Sequence, residues 1–390
     1  MLRGMLMRRA VNKSNHGFSL IELMIALTIG LVMIGAAVQL FSRSVNAEWV
    51  VSQKSEMQQD MRAASNMLNQ DITLAGGGLG NAALALPSGT GVKPIYGCDQ
   101  TFTCNYINGA AVAFPIPSGA TVPYLYGVVP GYNLGPILNV TEGPSDIITV
   151  AYTDSVLALP CYTVPAPLNT NLTATAVTLS VPSPLPTTCT LPAGLVAPQS
   201  LLDPVVGLTP GDVIWFTGTT AKGTSAMAAA EVTNVTQLTG TSFSVAFASG
   251  DPMKLNQPTA TSGDLAQLVG GAAPQAVRMF VITYFVNVLA DPLGIGPGTP
   301  RLMRMVSGHT PTPVAENVAY MKFSYNIYNG TTVNTYNDGG LNEGLTPNMS
   351  SSINLLHLTM RSQLASVAGY QGLDLQTAIS ARNLTFTNRY

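Results

Sequence analysis

Gly17-Phe18-Ser19-Leu20-Ile21-Glu22-Leu23-Met24-Ile25-Ala26-Leu27-Thr28-Ile29-Gly30-Leu31 opens a run that stays almost uncharged as far as Phe41. From Phe18 to Phe41 only Ser19, Glu22, Thr28, Gln39 and a few small residues interrupt the large apolar side chains. As a helix rising about 1.5 Å per residue, this segment is roughly 36 Å long, enough to cross a bilayer's hydrocarbon core with some tilt. Gly30, Gly35, Ala36 and Ala37 leave shallow places where other helices can approach closely. Glu22 breaks the pattern. A carboxylate inside a membrane helix costs about 2.5–3.5 kcal/mol on insertion scales, so its presence marks a functional position that needs a partner.

Outward from this run, residues 1–17 carry Arg3, Arg8, Arg9 and Lys13 and no acid. Basic residues before a membrane segment hold that end in the cytoplasm, which predicts export of everything after it. On the other side, Val50, Met57, Met61, Ala64, Leu68, Ile72 and Ala75 recur mostly at steps of three and four. That spacing predicts one apolar stripe on a continuing helix. Glu48, Lys54, Glu56, Asp60, Arg62 and Asp71 are expected on its solvated face. Gly76-Gly77-Gly78 ends the pattern, because glycine is a poor helix interior and a good terminus. One helix over 18–75, with 18–41 as its transmembrane part, is therefore expected.

Charged residues make up 9% of the 390-residue chain, well below the usual value of about 25%. The net charge is −2; without the four leader cations, 13 bases remain against 19 acids, giving −6. No basic footprint for nucleic acid is present. Residues 76–145 are rich in Gly, Pro, Ala and Ser, which predicts a long connection with short strands. Strand-like runs follow at 147–152, 176–181, 213–217, 244–247, 279–286, 301–306, 318–328 and 353–360. The expected class is α+β: a long N-terminal helix followed by a large β-rich exported domain over 146–390.

The four cysteines, Cys98, Cys104, Cys161 and Cys189, allow three connectivities, and the sequence does not choose among them. Nearest-neighbour pairing is preferred, because each bridge would staple one Pro- and Gly-rich loop. In the chain-entropy model such loops contribute about 2.4 and 3.6 kcal/mol. Export makes oxidation reasonable, whereas zinc binding would need other spacings and a nearby histidine.

Signals for catalysis are missing. His16 lies in the leader, and His309 and His357 have no carboxylate or cysteine pattern close in sequence. There is no Gly-x-Ser-x-Gly elbow, P-loop or His-Glu-x-x-His helix. Asn337-Asp338-Gly339-Gly340-Leu341-Asn342-Glu343 has oxygen donors but not the regular alternation of a calcium loop, so a turn is expected. Trp215, inside a strand run, is expected in the core. No enzyme, cofactor or metal is expected.

The segment Gly17-Phe18-Ser19-Leu20-Ile21-Glu22-Leu23 after a basic leader resembles the class III signal of type IV prepilins. Downstream, Ser145-Asp146-Ile147-Ile148-Thr149-Val150-Ala151-Tyr152, Arg301-Leu302-Met303-Arg304 and Pro313 to Tyr325 are similar to pieces of the PilW family of large minor pilins. Ala378 to Phe386 resembles that family's terminal strand. The stretch from about 160 to 275 matches no pattern of the family. The resemblance implies that prepilin peptidase cuts between Gly17 and Phe18 and methylates the new Phe18 amine, and that Glu22 pairs with that amine on a neighbouring subunit. It implies residence in the inner (cytoplasmic) membrane, single-pass with a cytoplasmic N-terminus, followed by entry into a surface pilus. The expected partners are other major and minor pilins and the pilus assembly platform. A type II secretion pseudopilin, or an exported adhesin anchored by a pilin helix, are the alternative functions.

Overall fold

The 55-residue helix α1 (Leu20–Leu74) is the first element of a computed structural model, and it starts where the sequence first offers an uninterrupted apolar run. The structure describes residues 17–79, 83–89, 91–99, 101, 103–104, 111–117, 119–138, 143–260, 262–289, 298–328, 331–336, 353–362, 373–380 and 383–384. The leader before Gly17, the Asn337–Glu343 loop and Ala381, Arg382, Thr385 and Phe386 of the expected terminal strand lie outside these residues. The chain forms two compact units, Met1–Glu56 and Met57–Tyr390.

In the first unit the described residues from Leu20 onward are helical, and the large apolar side chains of 18–41 are exposed. In the second unit the last turns of α1 are packed. Met57, Met61, Ala64, Leu68, Ile72 and Ala75 are each at most 1% exposed, as the stripe predicts.

Strands then follow in chain order. The short pieces are β1 (Leu84–Ala85), β2 (Ile95–Tyr96), β3 (Val112–Ala113) and β4 (Tyr124–Leu125), before β5 (Val128–Gly131) and β6 (Ile147–Thr153). A single helical turn, α2 (Leu168–Asn171), precedes β7 (Ala176–Ser180), β8 (Val213–Thr219), β9 (Ser225–Glu231), β10 (Asn234–Thr239) and β11 (Ser242–Ala246). The long β12 (Gln275–Leu289) leads to β13 (Thr299–Val306), β14 (Thr312–Glu316), β15 (Val318–Tyr328), β16 (Val333–Tyr336), β17 (Ile353–Ser362) and β18 (Leu373–Ser380). The protein is therefore α+β, one long apolar N-terminal helix followed by a large β-rich region.

β12 organises the second unit. Along one edge it pairs with β8 through Gln275–Met279 and with β13 through Ile282–Leu289; β6 runs along the other edge. β14, β5 and β9 complete this antiparallel seven-stranded sheet. Its side chains alternate as a strand requires. Ile282, Tyr284 and Val286 face one core, together with Ile148, Val150 and Tyr152 of β6 and the stripe of α1. Met279, Val281 and Phe285 face a second core. The sheet β16-β15-β17-β18 closes the first core with Met321, Phe323, Ile327, Leu356, Leu358 and Met360. At the sheet centre Thr149 and Thr283 lie opposite each other, and their buried hydroxyls bond to each other at 2.8 Å.

Residues 76–145 do more than connect. Their β5 joins the main sheet, and Leu84, Leu86, Tyr96, Phe114, Leu125 and Tyr126 supply much of the second core. The stretch 160–275 builds a three-stranded sheet, β10-β11-β7, around a third core that contains Phe216, Phe243 and Phe247. Disulfides join Cys98 to Cys104 and Cys161 to Cys189. Trp215 is partly buried, packed against the second core with its Nε1 buried.

Candidate functional site: the two ends of the long helix

Ser19 starts α1 by accepting backbone bonds from Glu22 at 3.0 Å and Leu23 at 3.1 Å. Glu22 is thus in the first turn, where four N–H groups lack helical partners and the dipole favours an acid. Gly17 and Phe18 precede the helix, with Phe18 79% exposed. No atom lies within 4 Å of a Cβ built on Gly17, Gly30 or Gly35, so both the backbone before Phe18 and the shallow face of the helix are open. Among the described residues no cation pairs with Glu22, and among them one helix, α1, is long and apolar enough to cross a membrane.

At the other end, Asp71 corrects its expected place on a solvated face, being only 4% exposed. It sits one residue before Ile72 on the packed side of α1, and the sheet beneath it offers three donors. Tyr152 of β6 gives its hydroxyl to Asp71 Oδ1 at 2.9 Å, and Tyr284 of β12 gives its own to Oδ2 at 2.6 Å. Arg304 of β13, directly opposite Tyr284 in register, donates Nε to Oδ2 at 2.8 Å and Nη2 to Oδ1 at 3.4 Å. Both tyrosines hold their protons well above the ordinary tyrosine range, first because burial disfavours phenolate and then because Asp71 would repel it. Burial also opposes the charge of Arg304, but its bonds to Asp71 and the attraction of that carboxylate outweigh this and keep it a cation. The result is a polar clamp, with every lone-pair direction of a buried acid satisfied, that fixes the last turns of α1 to the main sheet.

The helix stop lies beside the clamp. Gly76 and Gly78 take φ of +79° and +78°, and Gly76 N–H bonds to Ala151 O at 2.8 Å. A side chain on Gly78 would collide with Thr153, so glycine is required both for the turn and for the close approach to β6. Asn383 donates to the terminal carbonyls of Thr73 and Leu74 at 3.1 and 3.3 Å.

Sequence spacing could not pair His309, yet the fold places it 3.0 Å from Asp212, which also lies 3.7 Å from the buried Arg278. Arg278 in turn binds Asp154 at 2.6 Å. His357 lies on β17, opposite Ala378 and Ser324.

Residues 12–38 match the model of a prokaryotic N-terminal methylation motif. No curated protein and no solved structure matches the chain. The motif supports a type IV pilin- or pseudopilin-like role, with processing by prepilin peptidase and association with a pilin assembly machinery. With the apolar start of α1, it also supports membrane anchoring.

Proposed function

We propose that this chain is a minor pilin-like structural subunit of a type IV pilus, similar to the PilW family, that helps initiate or cap the filament. One observation carries the proposal: a single acid in the first turn of a 55-residue helix, followed by 20 uncharged residues, inside a prepilin-type motif. Cleavage between Gly17 and Phe18 would remove four cations that could not share an apolar filament core. The new Phe18 amine of one subunit would then meet Glu22 of the next. Each charge alone is costly in that environment; together they set the register of helix packing rather than add much net stability. Until assembly, residues 18–41 hold the subunit in the inner membrane with its N-terminus cytoplasmic and its C-terminal domain exported. The large β-rich unit suits a position used once or a few times, since repeating it along a thin shaft would crowd the surface.

Quantitative mass spectrometry of filaments sheared from the native host tests this reading. The chain is expected there at a small fraction of the bulk pilin, with surface pili lost when its gene is deleted. Confinement to the membrane fraction, with normal pili and failed export of secreted enzymes, would instead indicate the secretion pseudopilin.

A further inference from the structure

Glu231 and Asp251 are 1% and 3% exposed, and their carboxyl groups are hydrogen bonded to each other. Two carboxylates cannot share a hydrogen bond unless one keeps its proton. The surroundings supply neutral donors rather than a cation. Glu231 Oε2 accepts from Met253 N–H at 3.0 Å, and Asp251 accepts from Leu255 N–H at 2.6 Å and Asn256 N–H at 3.0 Å. Asn256 closes the same arrangement, accepting from Glu231 N–H at 2.9 Å and donating to Glu231 O at 2.8 Å.

Every neighbouring element leaves the pair without a counter-ion among the described residues. On the β8 side the charged group is Asp212, already engaged by His309 and Arg278. On the turn after β13, Gly308 packs so closely that a Cβ there would strike Glu231 Oε1, and His309 turns to Asp212. On the loop itself Lys254 is exposed, and Asp264 is occupied by the backbone N–H groups of Gln257 and Ala266.

We propose that Glu231 and Asp251 share one proton that latches the 251–257 loop onto the end of β9, and that the loop releases when this proton is lost. The loop is a junction, so its release would spread. Met253 O accepts from Ile95 N–H at 2.9 Å, Gln257 accepts from Gly89 N–H, and Met253 and Leu255 are buried in the second core. A cleft of about 460 Å³ lined by Gly89, Asp251, Lys254, Asn256 and Gln257 borders the Asp251 side of the pair.

Burial and the charge of Asp251 push Glu231 up to about 9, and burial raises Asp251 as well. An acid whose folded value is raised binds its proton more tightly when folded. Its stabilisation is therefore complete below the ordinary carboxylate range and is lost as pH rises through about 9.

Amide hydrogen exchange on the full chain in detergent, from pH 6 to 10, tests the latch when rates are corrected for intrinsic base catalysis. Protection at Met253, Leu255 and Asn256 is expected to fall by up to about tenfold per unit as pH rises from 6 towards about 9, and to level off above it. Glu231→Gln places a neutral donor where the protonated acid stood and should keep protection level over that range. Flat protection in the unaltered chain, an unchanged fall in the variant, or protection that depends on added calcium and vanishes with chelator would each overturn the proposal. Should the variant not fold, infrared spectroscopy of the unaltered chain decides. A protonated-carboxyl band present at pH 7 and lost by pH 10 upholds the latch, and its absence at pH 7 refutes it.

Discussion

Asp71→Ala is expected to destabilise the C-terminal unit by about 3 kcal/mol, the lower end of the range for breaking a buried ion pair. The lower end applies because the Arg304 side chain is 24% exposed and water can partly take over its charge. Most of the loss comes from the partners left behind. Tyr152 and Tyr284 keep buried hydroxyls without their acceptor, and Arg304 keeps a charge beside an apolar core. For a unit as large as Met57–Tyr390 the midpoint of thermal unfolding should drop by roughly 4 °C. The loss should start with the last turns of α1, since Asp71 is their polar tie to the main sheet. Asp374→Ala is the matched control. Asp374 also pairs with an arginine, Arg361 at 2.6 Å, but both side chains are more than a third exposed, so less than about 1 kcal/mol should be lost. Near-ultraviolet circular dichroism of the full chain in detergent checks both. Equal effects from the two variants would remove the clamp from the account.

Glu22→Ala carries the largest functional effect. The exposed first turn of α1 contributes nothing to the folding of Met57–Tyr390, so the variant should fold, insert and lose its leader normally. It should then disappear from sheared filaments, by about tenfold or more, because a neighbour's Phe18 amine would enter an apolar core without a counter-charge. Glu22→Gln should fail nearly as badly, since an amide of the same shape cannot neutralise an ammonium. Equal recovery of either variant and the unaltered chain in filaments would assign Glu22 no part in assembly.

Much of this was legible in the sequence where a local pattern decides the outcome. The apolar stripe Met57–Ala75 and the glycine stop are short-range signals, and the observed helix, Leu20–Leu74, follows them closely. The strand-like runs that became β6, β12, β13, β15 and β17 were visible for the same reason. β9 was not, because Ser225-Ala226-Met227-Ala228-Ala229-Ala230-Glu231 has little intrinsic strand preference. It is extended because β8 pairs along its whole length and small alanines fit between two cores.

Asp71 was hidden for a different reason. Its three donors come from residues 81, 213 and 233 positions away, and on spacing alone an acid near a helix end looks solvated. The faint signal was Arg304 inside the apolar run Leu302-Met303-Arg304-Met305-Val306, a charge that had to find a partner. Glu231 and Asp251 left no signal, since a shared proton is a property of two buried groups brought together by the fold. Glu22 stood out because almost any other residue is cheaper in its place.

Intact mass and N-terminal analysis of the protein from its native host tests the central claim most directly. A mature chain that begins at Phe18 and carries one added methyl group on its amine is the predicted result. A chain that still contains residues 1–17, or one cut beyond Phe41, would contradict it and leave a conventionally anchored or secreted β-rich domain.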